Sequence, residues 1–129
     1  METHRYRRIV VGTDFGPSAA TVLDHAIEIA RLAGASITLV HVCSDEILDR
    51  CRDRIAQLCT RATDIEITPV LRSGRAADKI HNIATEVGAG LIVIGRGRGI
   101  ELGGIAAGVL LSATRPVLAV AIDPRFDAQ

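Results

Sequence analysis

Short apolar segments alternate with amphipathic segments along almost the whole chain, and this alternation constrains the fold more than any other feature. The apolar segments predict strands at Arg8–Thr13, Ser36–Val42, Glu66–Leu71, Gly90–Ile94 and Pro116–Ile122. Between them, apolar side chains recur at three- and four-residue steps, the period of an amphipathic helix. These helices are predicted at Ala19–Ala33, Asp45–Arg61, Arg75–Val87 and Gly104–Ala113. Strands that alternate with helices form a parallel sheet covered on both faces, so we predict a doubly wound α/β fold.

Length and composition predict one domain spanning residues 1–129. Apolar residues make up 48% of the chain, which argues against disorder. Basic and acidic residues number 15 each, and this balance argues against binding to nucleic acid or to a membrane surface through bulk charge. The apolar runs are too short to span a bilayer, and no apolar signal segment follows Met1–Arg5, so a cytoplasmic protein is expected.

Three cysteines, Cys43, Cys51 and Cys59, fit neither a C-x-x-C pair nor the spacing of a zinc site. The simplest interpretation is that they are small buried apolar residues in a reducing compartment. A redox role is the alternative. No metal site is predicted from their spacing.

A loop of alternating glycine and arginine, Gly95–Gly99, follows the fourth predicted strand. Ligands of open α/β sheets bind at the carboxyl ends of the strands, and glycines let the backbone approach them closely. The loop lacks the third glycine of a dinucleotide fingerprint and the Gly-Lys-Ser/Thr of a Walker loop. Arg96 and Arg98 could bind a phosphate through bidentate contacts, or could be solvated loop charges.

Two further strands end at the same edge. Thr13 and Asp14 end the first strand, and Asp14 could bind a base or ribose or instead cap the first helix. His41, near the end of the second strand, could be a catalytic base, but no nucleophile motif accompanies it and a structural histidine is favoured. Ser18 and Ser112 lack the context of a nucleophile elbow, and no triad or acid–base pair of carboxylates can be assembled. We therefore predict that the chain is not an enzyme.

The sequence resembles the universal stress protein family in four segments that occur in the family's order. These segments are IVVGTDFGPSA, SITLVHV, LRSGRAADKIHNIATEVGAGLIVIG and GGIAAGVLLSATRPVLAV. The resemblance implies a five-stranded parallel sheet of order 3-2-1-4-5 with four helices. Many members are homodimers paired through the last strand, here Pro116 to Ile122. That strand is apolar on both faces, and would need covering if it lies at the edge of the sheet but not if it is interior.

One branch of the family binds ATP through a G-x-x-G-x9-G-(S/T) motif after the fourth strand, and the other branch lacks the motif. This chain lies between them. Gly95 matches the first glycine, Arg98 stands where the second is expected, and Gly103–Gly104 is the preferred match to the final pair. That match shortens the motif and leaves it without the hydroxyl of its final Ser/Thr. An alternative alignment puts Gly108 and Val109 at the final pair, but it would shorten the last helix severely. Gly12 replaces a common proline, and Gly90 replaces the usual aspartate before the fourth strand.

The base and ribose side of the family's site is retained as Thr13, Asp14 and the backbone of Val42, so the resemblance implies a degenerate adenine-nucleotide site. A shorter loop would surround fewer phosphates, while Arg96 and Arg98 add charge that could compensate. One outcome would be a preference for AMP or another compact ligand over ATP, with magnesium accompanying ATP. The candidate nucleotide-binding residues are Gly12, Thr13, Asp14, Val42, Ile94, Gly95, Arg96, Gly97, Arg98, Gly99, Gly103, Gly104 and Ile105.

The predicted function is a dimeric stress-response module whose nucleotide binding shifts conformational populations without turnover. An alternative is a dimeric interaction module that binds no nucleotide. An enzyme of the wider adenine-nucleotide α-hydrolase group ranks last, because the chain offers no nucleophile, base or metal cluster for one.

Overall fold

A five-stranded parallel sheet forms the centre of the computed structural model, which describes residues 5–97 and 103–121. The strands are β1 (Arg8–Thr13), β2 (Ser36–Val42), β3 (Ile67–Arg72), β4 (Leu91–Gly95) and β5 (Val117–Val120). The helices of this part of the chain are α1 (Ala19–Ala33), α2 (Leu48–Cys59), α3 (Ala76–Val87) and α4 (Gly104–Leu111). The strand order is β3-β2-β1-β4-β5, with every neighbouring pair parallel, so the predicted fold is confirmed.

Alternate residues of the central strands face two separate cores, one on each side of the sheet. Ile9 and Val11 of β1 face α1 and α2, while Val10 between them faces α3 and α4. All three side chains are at most 1% exposed. This is why three consecutive positions in the middle of β1 are apolar instead of alternating with polar residues, as expected for a parallel strand covered on both faces.

Several predicted element boundaries are wrong by one to three residues. The helix predicted to begin at Asp45 starts as a 3₁₀ turn, Asp45–Ile47, and becomes α-helical at Leu48, a common way for a helix to begin. The third and fourth strands are each shifted one residue toward the C-terminus, and α2, α3 and α4 are shorter than predicted at one or both ends. The last strand begins at Val117 because Pro116 has no N–H to donate, although its carbonyl accepts from Ile92 at 3.0 Å. Ile122 lies outside the described residues.

Glycines end two of the helices. Gly34 after α1 and Gly88 after α3 both have a left-handed backbone, with φ of 67° and 69°. The first helix begins at Ala19 as predicted, with Ser18 as its N-cap and Pro17 before the cap. Among the described residues, no helix is both long enough and apolar enough to cross a membrane.

Candidate functional site

A cavity of about 420 Å³ opens at the carboxyl edge of the sheet. It lies at the topological switch point, where the connections from β1 lead to β2 on one side and β4 lies on the other. Apolar side chains of β2, β4 and α3 form its inner wall, and the β1–α1 loop and the start of α4 form its rim. The size lies in the lower part of the range of about 300–1,000 Å³ for small-molecule sites. The cavity therefore suits one compact organic ligand.

Three helices begin at this cavity. The first residues of α1, α3 and α4, which are Ala19, Ala76 and Gly104, all line it. No side chain caps any of these helices by a hydrogen bond, and α1 and α4 have no acidic residue in their first turn. Each helix N-terminus carries a partial charge of roughly +0.5 and N–H groups without an intrahelical acceptor. The convergence of three such ends favours an anionic ligand.

The hydrogen bonds at the start of α4 identify which of these amide groups have no acceptor within the helix. Its first intrahelical hydrogen bond runs from the N–H of Ala107 to the carbonyl of Gly103, at 2.9 Å. The amides of Gly104, Ile105 and Ala106 precede that bond, so helix geometry provides them with no acceptor within α4. All three residues line the cavity. A phosphate at this position could accept hydrogen bonds from backbone alone.

The β1–α1 loop is ordered by its own side chains. The hydroxyl of Thr13 accepts from the N–H of Phe15 at 3.1 Å, and the Asp14 carboxylate accepts from the N–H of Gly16 at 2.7 Å. The second contact is an Asx turn. Ser18 is the N-cap of α1 and no side chain makes a capping hydrogen bond there, so the interpretation of Asp14 as a cap of α1 is wrong. Asp14 is exposed at the cavity rim. A carboxylate has further acceptor capacity after one such bond, which leaves Asp14 able to bind a hydroxyl.

His41 is buried, with 8% of its surface exposed, and it too lines the cavity. Its Nδ1–H donates to the carbonyl of Thr13 at 2.8 Å, and its ring stacks on Phe15 with centroids 3.8 Å apart. Phe15 has a left-handed backbone, with φ of 60°, and its carbonyl accepts from Arg54 at 2.8 Å. These contacts fix the imidazole against the end of β1 and the β1–α1 loop, in agreement with the predicted structural role of His41.

The predicted site residues fall into three groups. Ten of them line the cavity: Gly12, Thr13, Asp14, Val42, Ile94, Gly95, Gly97, Gly103, Gly104 and Ile105. Arg96 lies beside them without lining it, and its carbonyl accepts from the N–H of Gly103 at 3.0 Å, which closes the base of the loop. Arg98 and Gly99 lie outside the described residues. Gly108 lies inside α4, where a Cβ would be 3.1 Å from that of Ala77, so the alternative alignment does not place it at the cavity.

Sequence reasoning missed the contribution of helix starts to this site. Ser18, Ala19, Ala76 and Ala106 line the cavity but carry no chemistry that would single them out. Their position follows from topology, since every helix that follows a parallel strand begins at the carboxyl edge of the sheet. The predicted starts of the helices could therefore have identified these residues as lining the cavity.

Cys43 directly follows β2, and Cys51 and Cys59 lie on α2. All three are free thiols, and Cys51 is buried while Cys43 and Cys59 are half-buried. Burial raises the pKa of Cys43 to about 11, and the neighbouring Cys51 and Asp45 act in the same direction. Burial also raises the pKa of Cys59. Neither thiol is therefore an activated thiolate at neutral pH.

A parallel sheet of this strand order, with a cavity formed by helix N-termini at its carboxyl edge, defines a class of ligand-binding α/β domains. The chain belongs to the universal stress protein family, whose model matches residues 5–50 and 45–121. No curated protein is similar enough in sequence to be matched.

Solved structures of universal stress proteins have the same fold. One from Archaeoglobus fulgidus is 30% identical, with a TM-score of 0.78 over 92% of this chain and 99% of that chain. A structure of the Archaeoglobus fulgidus protein with dAMP is 31% identical, with a TM-score of 0.76 over 92% and 98%. A universal stress protein in complex with cAMP is 29% identical, with a TM-score of 0.76 over 90% and 97%.

Proposed function

We propose that this chain binds an adenine nucleotide with a single phosphate, such as AMP, in the cavity at the carboxyl edge of the sheet. The observation that carries the proposal is the convergence of the starts of α1, α3 and α4 on that cavity. Two similar universal stress proteins have been solved with dAMP and with cAMP, and both ligands are adenine monophosphates.

The charge of the cavity favours one phosphate over three. Within the described residues, no lysine or arginine side chain lines it, and Asp14 is its one carboxylate. Backbone amides and helix ends stabilise a monophosphate well, whereas a triphosphate needs cationic side chains or magnesium to balance its charge. We therefore expect AMP to bind more tightly than ATP without magnesium. Mg-ATP, whose charge the metal balances, should bind no more tightly than AMP, and much tighter binding of Mg-ATP would contradict this preference.

The adenosine part would occupy the end nearer β1 and β2. Thr13, Asp14 and the backbone of Val42 line the cavity there, where the family resemblance places the base and ribose. Asp14 would accept a hydrogen bond from a ribose hydroxyl through its remaining acceptor capacity. The apolar wall formed by Val40 and Ile80 would contact the base.

We expect binding without chemical turnover. His41 donates one ring N–H to a backbone carbonyl and stacks on Phe15, and the neighbouring thiols of Cys43 and Cys51 do not line the cavity. The module would report nucleotide binding through its conformational populations in a stress response. Appreciable hydrolysis of ATP by the purified chain, abolished in Asp14→Ala, would contradict this and indicate an enzyme.

Isothermal titration with AMP and then Mg-ATP tests the proposal, using a pair of variants at one position. A Cβ at Gly104 would have no atom within 4 Å, so the fold can accept a side chain there. Gly104→Asp adds a negative charge at the phosphate position, while Gly104→Asn adds nearly the same shape without the charge. At roughly 6 Å and an effective dielectric constant of about 20, charge repulsion costs about 3 kcal/mol. We expect at least tenfold weaker AMP binding for Gly104→Asp than for Gly104→Asn.

Loss of binding through unfolding is excluded in this design, because an acidic residue in the first turn of a helix stabilises it. Equal AMP affinities of the two variants would contradict phosphate binding at α4. No binding by the unmodified chain up to about millimolar AMP would favour the alternative, an interaction module that binds no nucleotide.

We also propose that two copies pair through β5. This strand lies at the edge of the sheet, and Leu118 on it is 38% exposed. Apolar side chains of the adjacent α4 are exposed too, with Leu111 at 89%. An uncovered apolar edge strand favours pairing with another strand. Leu118→Lys should convert a dimer to a monomer in sedimentation experiments, while Leu32→Lys, at a distant leucine 89% exposed, should not.

A further inference from the structure

Three side chains with metal-binding atoms meet beside β2. One ring nitrogen of His41 and the sulfur atoms of Cys43 and Cys51 all lie within 4.8 Å of one another. His41 and Cys43 are two residues apart at the end of an extended strand, so their side chains leave it on the same side. Cys51 reaches them from α2, which packs on that face of the sheet through Ile55. The cluster thus joins two separate elements of the fold.

The hydrogen bond of His41 has the form found in metal-binding histidines. A carbonyl oxygen can only accept a hydrogen bond, so the contact of Nδ1 with the Thr13 carbonyl places a proton on Nδ1. In the neutral ring this leaves the lone pair on Nε2. Histidines that bind metals almost always donate their other ring N–H to a carbonyl or a carboxylate in this way. Stacking on Phe15 fixes the plane of the ring as well.

The size of the cluster matches a metal ion after a small adjustment. Three atoms within 4.8 Å of one another share a point that is about 2.8 Å or less from each of them, compared with about 2.3 Å for zinc–sulfur and 2.0–2.1 Å for zinc–nitrogen bonds. The ligand atoms must therefore approach the common point by roughly half an ångström to reach zinc–ligand distances. Small side-chain rotations are enough for this movement. The site is therefore almost formed without the ion.

We propose that His41, Cys43 and Cys51 bind one zinc ion, with a water molecule in the fourth position. On binding, each thiol transfers its proton to solvent as its sulfur bonds to zinc, and Nε2 donates its lone pair. Two protons are released for each Zn²⁺, and no atom is oxidised or reduced. The two thiolates neutralise the ion, so that no net charge is buried. Thiolate and imidazole are also the ligands that zinc prefers.

Cobalt provides a visible substitute for zinc in testing this site. The reduced, metal-free chain is titrated with Co²⁺ in the absence of nucleotide, and the Co²⁺ is then displaced with Zn²⁺. We expect one Co²⁺ per chain, with a sulfur-to-cobalt charge-transfer band and intense visible bands of tetrahedral geometry. Cys43→Ser should weaken binding by about tenfold or more, because even partners outside the ligand shell contribute about 10–100-fold. Cys59→Ser is the matched control. Cys59 is half-buried like Cys43, but it lies on α2 outside the cluster.

Thermal unfolding gives a second readout that does not depend on colour. Zinc at about 100 times its Kd should raise the Tm of the unmodified chain by about 10 °C. The same shift is expected for Cys59→Ser and not for Cys43→Ser, whose metal-free Tm shows whether the variant is folded. Cys43 is the better test position, because Cys51 is buried and its replacement disturbs the core.

Three results would overturn the zinc site. The first is cobalt binding without a thiolate band, and the second is binding that survives Cys43→Ser or is lost equally in Cys59→Ser. The third is a reduced chain that binds no metal but forms a Cys43–Cys51 disulfide in air, which would identify the pair as a redox couple. Because nucleotide is absent throughout, none of these results bears on AMP binding.

Discussion

Gly12 lies in the wall of the cavity, and its replacement by alanine tests how tightly β1 packs against α3. A Cβ at this position would lie 2.8 Å from Cδ1 of Ile80 and 3.3 Å from Cγ2 of Ile94. The first distance is too short for two carbon atoms, so the end of the buried Ile80 side chain must move at the wall of the cavity. Overpacking costs about 1–3 kcal/mol, while alanine recovers about 0.5–1 kcal/mol of the entropic cost of a glycine in a strand. We expect Gly12→Ala to lower the free energy of unfolding by about 1–2 kcal/mol.

Thermal unfolding followed by circular dichroism measures this effect. For a domain of 129 residues, 1 kcal/mol corresponds to about 4 °C, so the Tm should fall by about 4–8 °C. Gly104→Ala is the control, because its Cβ has no atom within 4 Å and the Tm should not fall.

Ile80→Val then identifies the atom responsible, because it removes only Cδ1. By itself this change should cost about 0.5–1.5 kcal/mol. In the double variant with Gly12→Ala the close contact is absent, so the combined cost should be smaller than the sum of the two by about 1 kcal/mol. Strictly additive costs would refute this account of the packing.

Two further predictions concern stability away from the cavity. Leu23 is fully buried and Leu32 is 89% exposed on the same helix, so Leu23→Ala should cost about 3–5 kcal/mol in denaturant unfolding and Leu32→Ala less than about 0.5. The ion pair with Arg31 lowers the pKa of Asp64. The ion pair therefore contributes to the free energy of unfolding at pH values above the pKa that Asp64 has in the unfolded chain. The contribution disappears as the pH falls through the lower pKa that Asp64 has in the folded chain. Asp64→Asn should lower the Tm near neutral pH but not below about pH 3. An equal decrease of the Tm at neutral and at acidic pH would contradict a stabilising ion pair between Arg31 and Asp64.

Local sequence signals were sufficient for the α/β class and much of the cavity, whereas the order of the strands came from the family resemblance. The apolar runs of the strands and the helical period between them predict the five strands and four α-helices, since a parallel sheet needs strands that are apolar on both faces. Thr13, Asp14 and Gly95 could be assigned to the cavity because they follow strands, and parallel strands end at one edge. The position of β5 at the edge came from the family resemblance, because its apolar pattern alone fits an interior strand equally well.

The remaining features depend on contacts between distant parts of the chain. The 3₁₀ turn before Leu48 is a local choice between two similar helix geometries that periodicity does not distinguish. Spacing along the chain could not reveal the cluster of His41, Cys43 and Cys51, because a strand supplies two of its members and a helix the third. Ala76 lines the cavity only because α3 begins there, and an alanine carries no chemical signal of its own.

Backbone amide chemical shifts of the isotope-labelled chain, followed during titration with AMP, show whether a nucleotide binds in this cavity. We expect saturable shifts concentrated in the β1–α1 loop, at the end of β2 and in the first turn of α4, with the amides of Gly104, Ile105 and Ala106 among the largest. Strands and helices far from the carboxyl edge should change little. An absence of shifts at about millimolar AMP, or saturable shifts confined to another surface, would contradict a nucleotide site in this cavity.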